Sequence, residues 1–431
     1  MHVHRYVLHG AAAALVVVGL AAQVARPLAL SLGALPASSR WFDPAYLAQA
    51  AAYRRPLYAA ALVMLGVRVA VPCLVAFTGR GRRVADRIVE RIGPHRPARA
   101  AACVVIVVVA LTDLALLPLE FWGRYVHEGA FGLRTQGLAG WARDWAVSAG
   151  LAWVAFGAAT LGGWTLARRL ERLWPPVVAL GATALTALLM LAAPRVIEPL
   201  FFHTRPLEPG PVRTEVEQLL ARTDLQVDQI LVADASRRTT KENAYASGFG
   251  ATRQVVLYDT LLAERTPAEV GLVLAHEFGH LRHDDVVRGA LLGGVGAVVL
   301  VYGLAALVRW RAATGRQDGQ ADPRAAAVVV AVAVLAGALG MPLQLASNRR
   351  AEAAADLASL DLTADPVTYE RVHIDLARAN LADPAPPGWV TALWMTHPST
   401  VARLEMGERW PLPAGRVRRS RSARRGAGSM Q

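Results

Sequence analysis

The sequence is poor in lysine, in cysteine and in charge generally. One lysine, Lys241, stands among 431 residues. The two cysteines, Cys73 and Cys103, lie in apolar stretches and form no metal-spaced pair, so a cysteine-held metal centre is excluded and the redox compartment is left open. Charged residues make up only 18% of the chain and hydrophobic residues 54%, with a mean hydropathy of +0.32. That balance excludes an ordinary soluble enzyme. The net charge of +13 is almost entirely arginine. Aromatic and basic residues do not interleave and no nucleic-acid motif is present, so no nucleic-acid partner is expected. No internal repeat is visible.

The space is filled by apolar blocks long enough to cross a bilayer. Seven are expected, at about 6–25, 56–78, 100–120, 146–167, 176–197, 287–308 and 325–345. The chain therefore reads as mainly α, a polytopic membrane protein with a small catalytic part. Residues 1–202 hold spans one to five and 203–286 a first polar part. Residues 287–345 hold spans six and seven, and 346–415 a second polar part. Residues 416–431 form a basic tail suited to disorder or to anionic lipid. A hairpin of spans six and seven returns the two polar parts to one side. The first block also fits a signal peptide, since Arg5 precedes it and Ala22-Gln23-Val24-Ala25 is a passable cleavage site. Arg68 and Asp113 fall inside spans two and three, as a cavity lining or as a tolerated pair.

Within the first polar part lies His276-Glu277-Phe278-Gly279-His280, an H-E-x-x-H motif. On a helix, positions i and i+4 share one face, so both imidazoles can grip one zinc ion. Glu277 can reach the open side of that metal and take a proton from water there. This is the apparatus of amide hydrolysis. A third protein ligand is required. Glu352 is the best candidate, on an Ala- and Arg-rich helical segment where Asp356 shares its face and can orient a ligand histidine. His283 is the rival, about 60° off the His276/His280 direction. An intramembrane site-2-type protease needs a later L-D-G segment, and none occurs.

Before the motif, the pattern changes to strands at Gln229–Asp234, Asn243–Phe249 and Arg253–Tyr258. A sheet edge beside the metal helix can hold a peptide as an added strand.

In order along the chain come Leu117-Pro118, Glu128, Phe131-Gly132-Leu133, Gln136 and Asp144, then PRVIEPLFF at 194–202. Asn243-Ala244-Tyr245, Gly248-Phe249-Gly250 and VVLYDTLL at 255–262 follow. After the metal helix come Arg350, Glu352, Asp356, Asn380, Asp383-Pro384, His397-Pro398-Ser399 and Arg403. This set resembles the type I CAAX prenyl endopeptidases, integral-membrane zinc metalloproteases, and more distantly the heat-shock membrane protease HtpX. The resemblance covers about 100–405 and implies seven spans, hence a retained first span, with a gluzincin-like catalytic domain. It implies one zinc ion held by His276, His280 and Glu352, with Glu277 as general base and acid. Asp356 takes a supporting or proton-donating role. His397 donates to the oxyanion, Arg403 supports it or holds substrate, and Asn243 and Ala244 pair with the substrate backbone.

The segment Leu281-Arg282-His283-Asp284-Asp285 departs from much of that family. Together with the Arg- and Ala-rich composition it points to a bacterial cell-membrane protein and argues against prenylated substrates. The expected partners are a peptide or protein substrate and the lipid bilayer. A catalytically residual membrane scaffold or transport-like protein is the alternative. Basic connectors at 79–99, 168–172 and 309–324 put the metal site outside by the positive-inside rule, whereas the resemblance implies a cytoplasmic site.

Overall fold

The computed structural model describes residues 37–93, 95–170, 172–248, 250–313 and 322–410. The expected first span at 6–25 with its cleavage-site reading, the tail at 416–431 and part of the third basic connector lie outside these residues. Among the described residues, five helices are long and apolar enough to cross a membrane. Trp174–Met190 with Ala192–Leu200, bent by 49°, makes a sixth as a broken span. Pro194 contributes to that bend, because it lacks the N–H that would bond the Met190 carbonyl.

The membrane part begins with α1 (Pro44–Phe77), started by Pro44 and by Asp43, whose carboxylate accepts the Tyr46 N–H at 2.8 Å. Then come α2 (Gly79–Ile92), α3 (Pro97–Phe121), α4 (Leu138–Arg169) and α5 (Trp174–Val196). Helix α1 is longer than its apolar block. Its first turns bury Tyr46 and Tyr53 against Ala377, Leu381 and Leu404 of the second polar part. Its other end, at Val75, packs with Ala101, Val104, Val105, Ala326 and Ala327. Outward-facing side chains such as Leu180 and Leu339 are 72% and 83% exposed, as lipid contact requires. Arg68 and Asp113 do not pair with each other. Arg68 lies 3.6 Å from Glu120, and Asp113 accepts the Trp153 Nε1–H at 2.7 Å.

The first polar part is built on a four-stranded sheet in the order β1-β2-β4-β3. Its strands are β1 (Thr204–Pro206), β2 (Gln229–Ala233), β3 (Ala244–Ser247) and β4 (Gln254–Tyr258). The three expected strands are present; β1 is an unforeseen addition. β2 and β4 run parallel, and β3 runs antiparallel to β4 as the free edge. Gly248 turns the chain out of β3 at φ +81°, where a Cβ would collide with the Thr252 carbonyl. Helix α6 (Pro211–Leu220) packs with α8 (Pro267–Arg282), and α7 (Asp259–Glu264) joins β4 to it.

Two further spans follow, α9 (Asp285–Ala313) and α10 (Ala325–Thr363). Helix α10 runs without a break through the expected boundary at 345/346. Its 39 residues extend about 58 Å, well beyond a hydrocarbon core of about 30 Å. The membrane span and the Glu352 segment are thus one continuous helix, with Pro342 inside it. Helices α11 (Pro366–Ala379), α12 (Gly388–Trp394) and α13 (Thr400–Arg409) close the second polar part. The lone lysine ties the halves together: Lys241 Nζ lies 2.6 Å from Glu128 and 3.0 Å from the Tyr53 hydroxyl.

Candidate metal centre

Helix α8 starts with a capping box. The Thr266 hydroxyl accepts the Glu269 N–H, and the Glu269 carboxylate accepts the Thr266 N–H at 2.9 Å, with Pro267 at the first helical position. The helix is buried almost throughout. Leu274, Phe278 and Leu281 face the sheet and α6. The other side meets α10. Gly279 makes that approach possible: a Cβ there would stand 2.8 Å from Ala355 Cα. The glycine of the motif therefore brings Glu352 within reach of the two imidazoles.

His276 Nε2 and His280 Nε2 lie 3.2 Å apart. Glu352 Oε2 is 3.2 Å from His276 Nε2, and Glu352 Oε1 is 3.6 Å from His280 Nε2. Ligands about 2.0–2.1 Å from a common tetrahedral metal stand roughly 3.3 Å from one another. Glu352 Oε2 is also buried and accepts no hydrogen bond among the described residues. Unpaired, such an oxygen is costly; facing a cation, it is not. Two imidazoles and a carboxylate converging in this way fit a zinc ion with one position left open. His283 caps the end of α8, exposed, and does not join this group.

Each imidazole is oriented by its other nitrogen. His276 Nδ1 is 2.9 Å from Asp356 Oδ1, and His280 Nδ1 is 2.8 Å from Asp285 Oδ2. Asp285 was not singled out from the sequence. It follows the break between α8 and α9, where Asp284 adopts φ +50°, so helical spacing does not reach it. Asp356 is fully buried and is gripped by two guanidinium nitrogens of Arg403, one at 2.9 Å. Asp356 in turn keeps Arg403 firmly protonated despite its burial. Arg403 thus holds Asp356 and also lines the cleft beside His276 and His397. His373 Nε2 lies 3.8 Å from the same carboxylate.

Glu277 points towards β3 and accepts the Ala246 N–H at 2.7 Å. Burial raises its carboxyl above the usual carboxylate range, against the pull of His276 and His280. The Asn243 carbonyl accepts the Tyr258 N–H, and hydrogen bonding alternates along an antiparallel strand. The backbone groups of Ala244 and Ala246 therefore face away from β4, towards the metal side. Asn243 and Ala244 line a cavity of about 350 Å³ beside His276 and Glu277, with an apolar floor that includes Leu272, Val372 and Leu376. His397 stands on the far side, half-exposed, its Nε2 3.1 Å from Glu352 Oε2.

Residues 206–410 match peptidase family M48, and residues 32–203 match the CAAX prenyl protease N-terminal region, described as five membrane helices. The chain is similar to the uncharacterized metalloprotease YhfN of Bacillus subtilis, with 26% identity over 309 residues, 71% of this chain and 72% of that one. It is 31% identical over 195 residues to CAAX prenyl protease 1 of Saccharomyces cerevisiae, covering 43% of this chain and 41% of that protein. The match thus spans less than half the length of the yeast relative. The crystal structure of S. mikatae Ste24p shares the fold, with a TM-score of 0.68 at 19% identity over 93% of this chain and 98% of that one.

Proposed function

The chain belongs to peptidase family M48 and is a multi-pass integral membrane protein, and on that premise we propose that it is a zinc-dependent endopeptidase with Glu277 as general base. The observation that carries this reading is the convergence of His276 Nε2, His280 Nε2 and a Glu352 carboxylate oxygen at the spacing of ligands to one metal. His276, His280 and Glu352 hold one zinc ion. When bound, zinc supplies Lewis acidity, polarising a scissile carbonyl and lowering the pKa of water to about 7.

Glu277 takes the proton of the attacking water and delivers it to the departing amine nitrogen as the C–N bond breaks. The Ala246 N–H holds one Glu277 oxygen and so fixes the direction of the other. His397 donates a hydrogen bond to the oxyanion that forms at the carbonyl. Asp356 is a positioning group: it fixes His276, is itself fixed by Arg403, and keeps the second imidazole nitrogen turned to the metal. Asp285 does the same for His280. Substrate enters as a strand along the β3 edge from Asn243 and Ala244, with one side chain in the apolar-floored cavity.

The test is metal analysis of detergent-purified protein together with turnover of an unstructured peptide. About one zinc per chain is expected. Unchanged zinc in a His276→Ala/Glu352→Ala double variant would remove the ligand assignment.

A further inference from the structure

The end of the membrane bundle farthest from the metal centre carries a dense positive charge. Helices α1 and α10 both run between the two ends. The metal centre and Tyr46 lie at one, while Val75 and Ala326 lie at the other. At the second end α2 turns back across the bundle. Thr78 caps it by accepting the Gly81 N–H, and Gly81 presses on the Val75 backbone where no side chain fits.

Ala85 and Ile88 of α2 pack inward on the same cluster as Val75. Arg80, Arg83, Arg87 and Arg91 recur at three- or four-residue spacing along its outer side, all exposed. None has an ion-pair partner among the described residues. Asp86 is already paired with Arg324 at 2.5 Å, and Glu90, the helix's other carboxylate, has no ion-pair partner among the described residues. The next connector adds Arg168, Arg169 and Arg172, likewise exposed and without an ion-pair partner among the described residues, just beyond Trp164, which packs on the same cluster. Immediately before α2, Leu74 and Phe77 are 57% and 59% exposed. Lipid-facing apolar surface therefore gives way to guanidinium groups within about one turn.

We propose that this end is a binding surface for the phosphate of anionic lipid headgroups, with α2 lying along the leaflet. The apolar side of α2 is anchored on the bundle, and its arginines sit at headgroup depth, where each guanidinium can donate two parallel hydrogen bonds to a phosphate.

The test uses the full-length protein in nanodiscs of mixed phosphatidylcholine and phosphatidylglycerol, with retained lipid counted by native mass spectrometry. Wild type retains phosphatidylglycerol several-fold over phosphatidylcholine. The Arg80→Gln/Arg83→Gln/Arg87→Gln/Arg91→Gln variant loses that preference, while Arg222→Gln on the catalytic part keeps it. Where the fourfold variant is not monodisperse, Arg83→Gln and Arg87→Gln singly must each lower the preference. Equal retention of both lipids by wild type, or a preference unchanged in the arginine variants, overturns the proposal. Displacement of phosphatidylglycerol by sodium phosphate, but not by sodium chloride of equal ionic strength, makes this a free-phosphate site and overturns the lipid assignment.

Discussion

Gly279→Ala adds one methyl group between the two helices that build the candidate metal centre. Its Cβ would stand 2.8 Å from Ala355 Cα and 3.2 Å from the Ala355 carbonyl oxygen. Non-bonded carbons settle at about 3.5–4.0 Å, so α10 must withdraw from α8 by about 1 Å. Backbone cannot rotate away as a flexible side chain can. Overpacking of this kind costs about 1–3 kcal/mol. Glu352 lies less than one turn before Ala355, so the shift passes directly to the third ligand, while metal sites tolerate roughly 0.2 Å. A displacement near 1 Å at a reacting centre can cost about 100-fold in rate. The assay is zinc content, thermal melting in detergent and peptide turnover on the same preparation. Gly303→Ala on α9 is the control, because a Cβ there meets nothing within 4 Å. Gly279→Ala is expected to melt earlier, hold less zinc and turn over far more slowly, with Gly303→Ala close to wild type. Wild-type zinc content and melting in Gly279→Ala would refute the argument that this glycine sets the ligand distance.

Asp285→Asn weakens the fix on His280 and is expected to lower zinc affinity by about 10–100-fold, read by competition with a chelator; wild-type affinity would remove Asp285 from the centre. Ala244→Pro deletes an outward N–H at the β3 edge and is expected to raise the Michaelis constant while leaving zinc content intact. An unchanged constant would count against strand addition there. Reporters fused after Arg91 and after Gly415 are expected to read cytoplasmic and external respectively; the reverse pair would place the metal centre in the cytoplasm.

The helix proposed to hold the metal was legible because the convergence of its side chains obeys helical spacing. His276, Glu277 and His280 sit within five residues, and the rival His283 was already disfavoured by angle. Glu352 and Asp356 were legible by the same rule, although their place beside α8 needed either the resemblance or the fold. What escaped the sequence breaks that periodicity. Asp285 reaches back across a positive-φ turn, and the Ala246 contact is made by backbone, which residue identity does not mark. β1 is three residues long and ends in proline, too short to carry alternation. The continuity of α10 was hidden because hydropathy falls at about 345 while helix propensity does not. Polarity marked where the bilayer stops; the helix does not stop there.

The most direct test of a zinc endopeptidase using Glu277 is the turnover of Glu277→Gln, with its zinc content measured alongside. The amide keeps the shape of the side chain and can still accept the Ala246 N–H, but it cannot take a proton from water. Zinc at the wild-type level with turnover lowered by about 100- to 10,000-fold is the expected result, since a positioned general base contributes that much. Turnover near wild type, in protein freed of contaminating peptidases and still holding zinc, would contradict the mechanism.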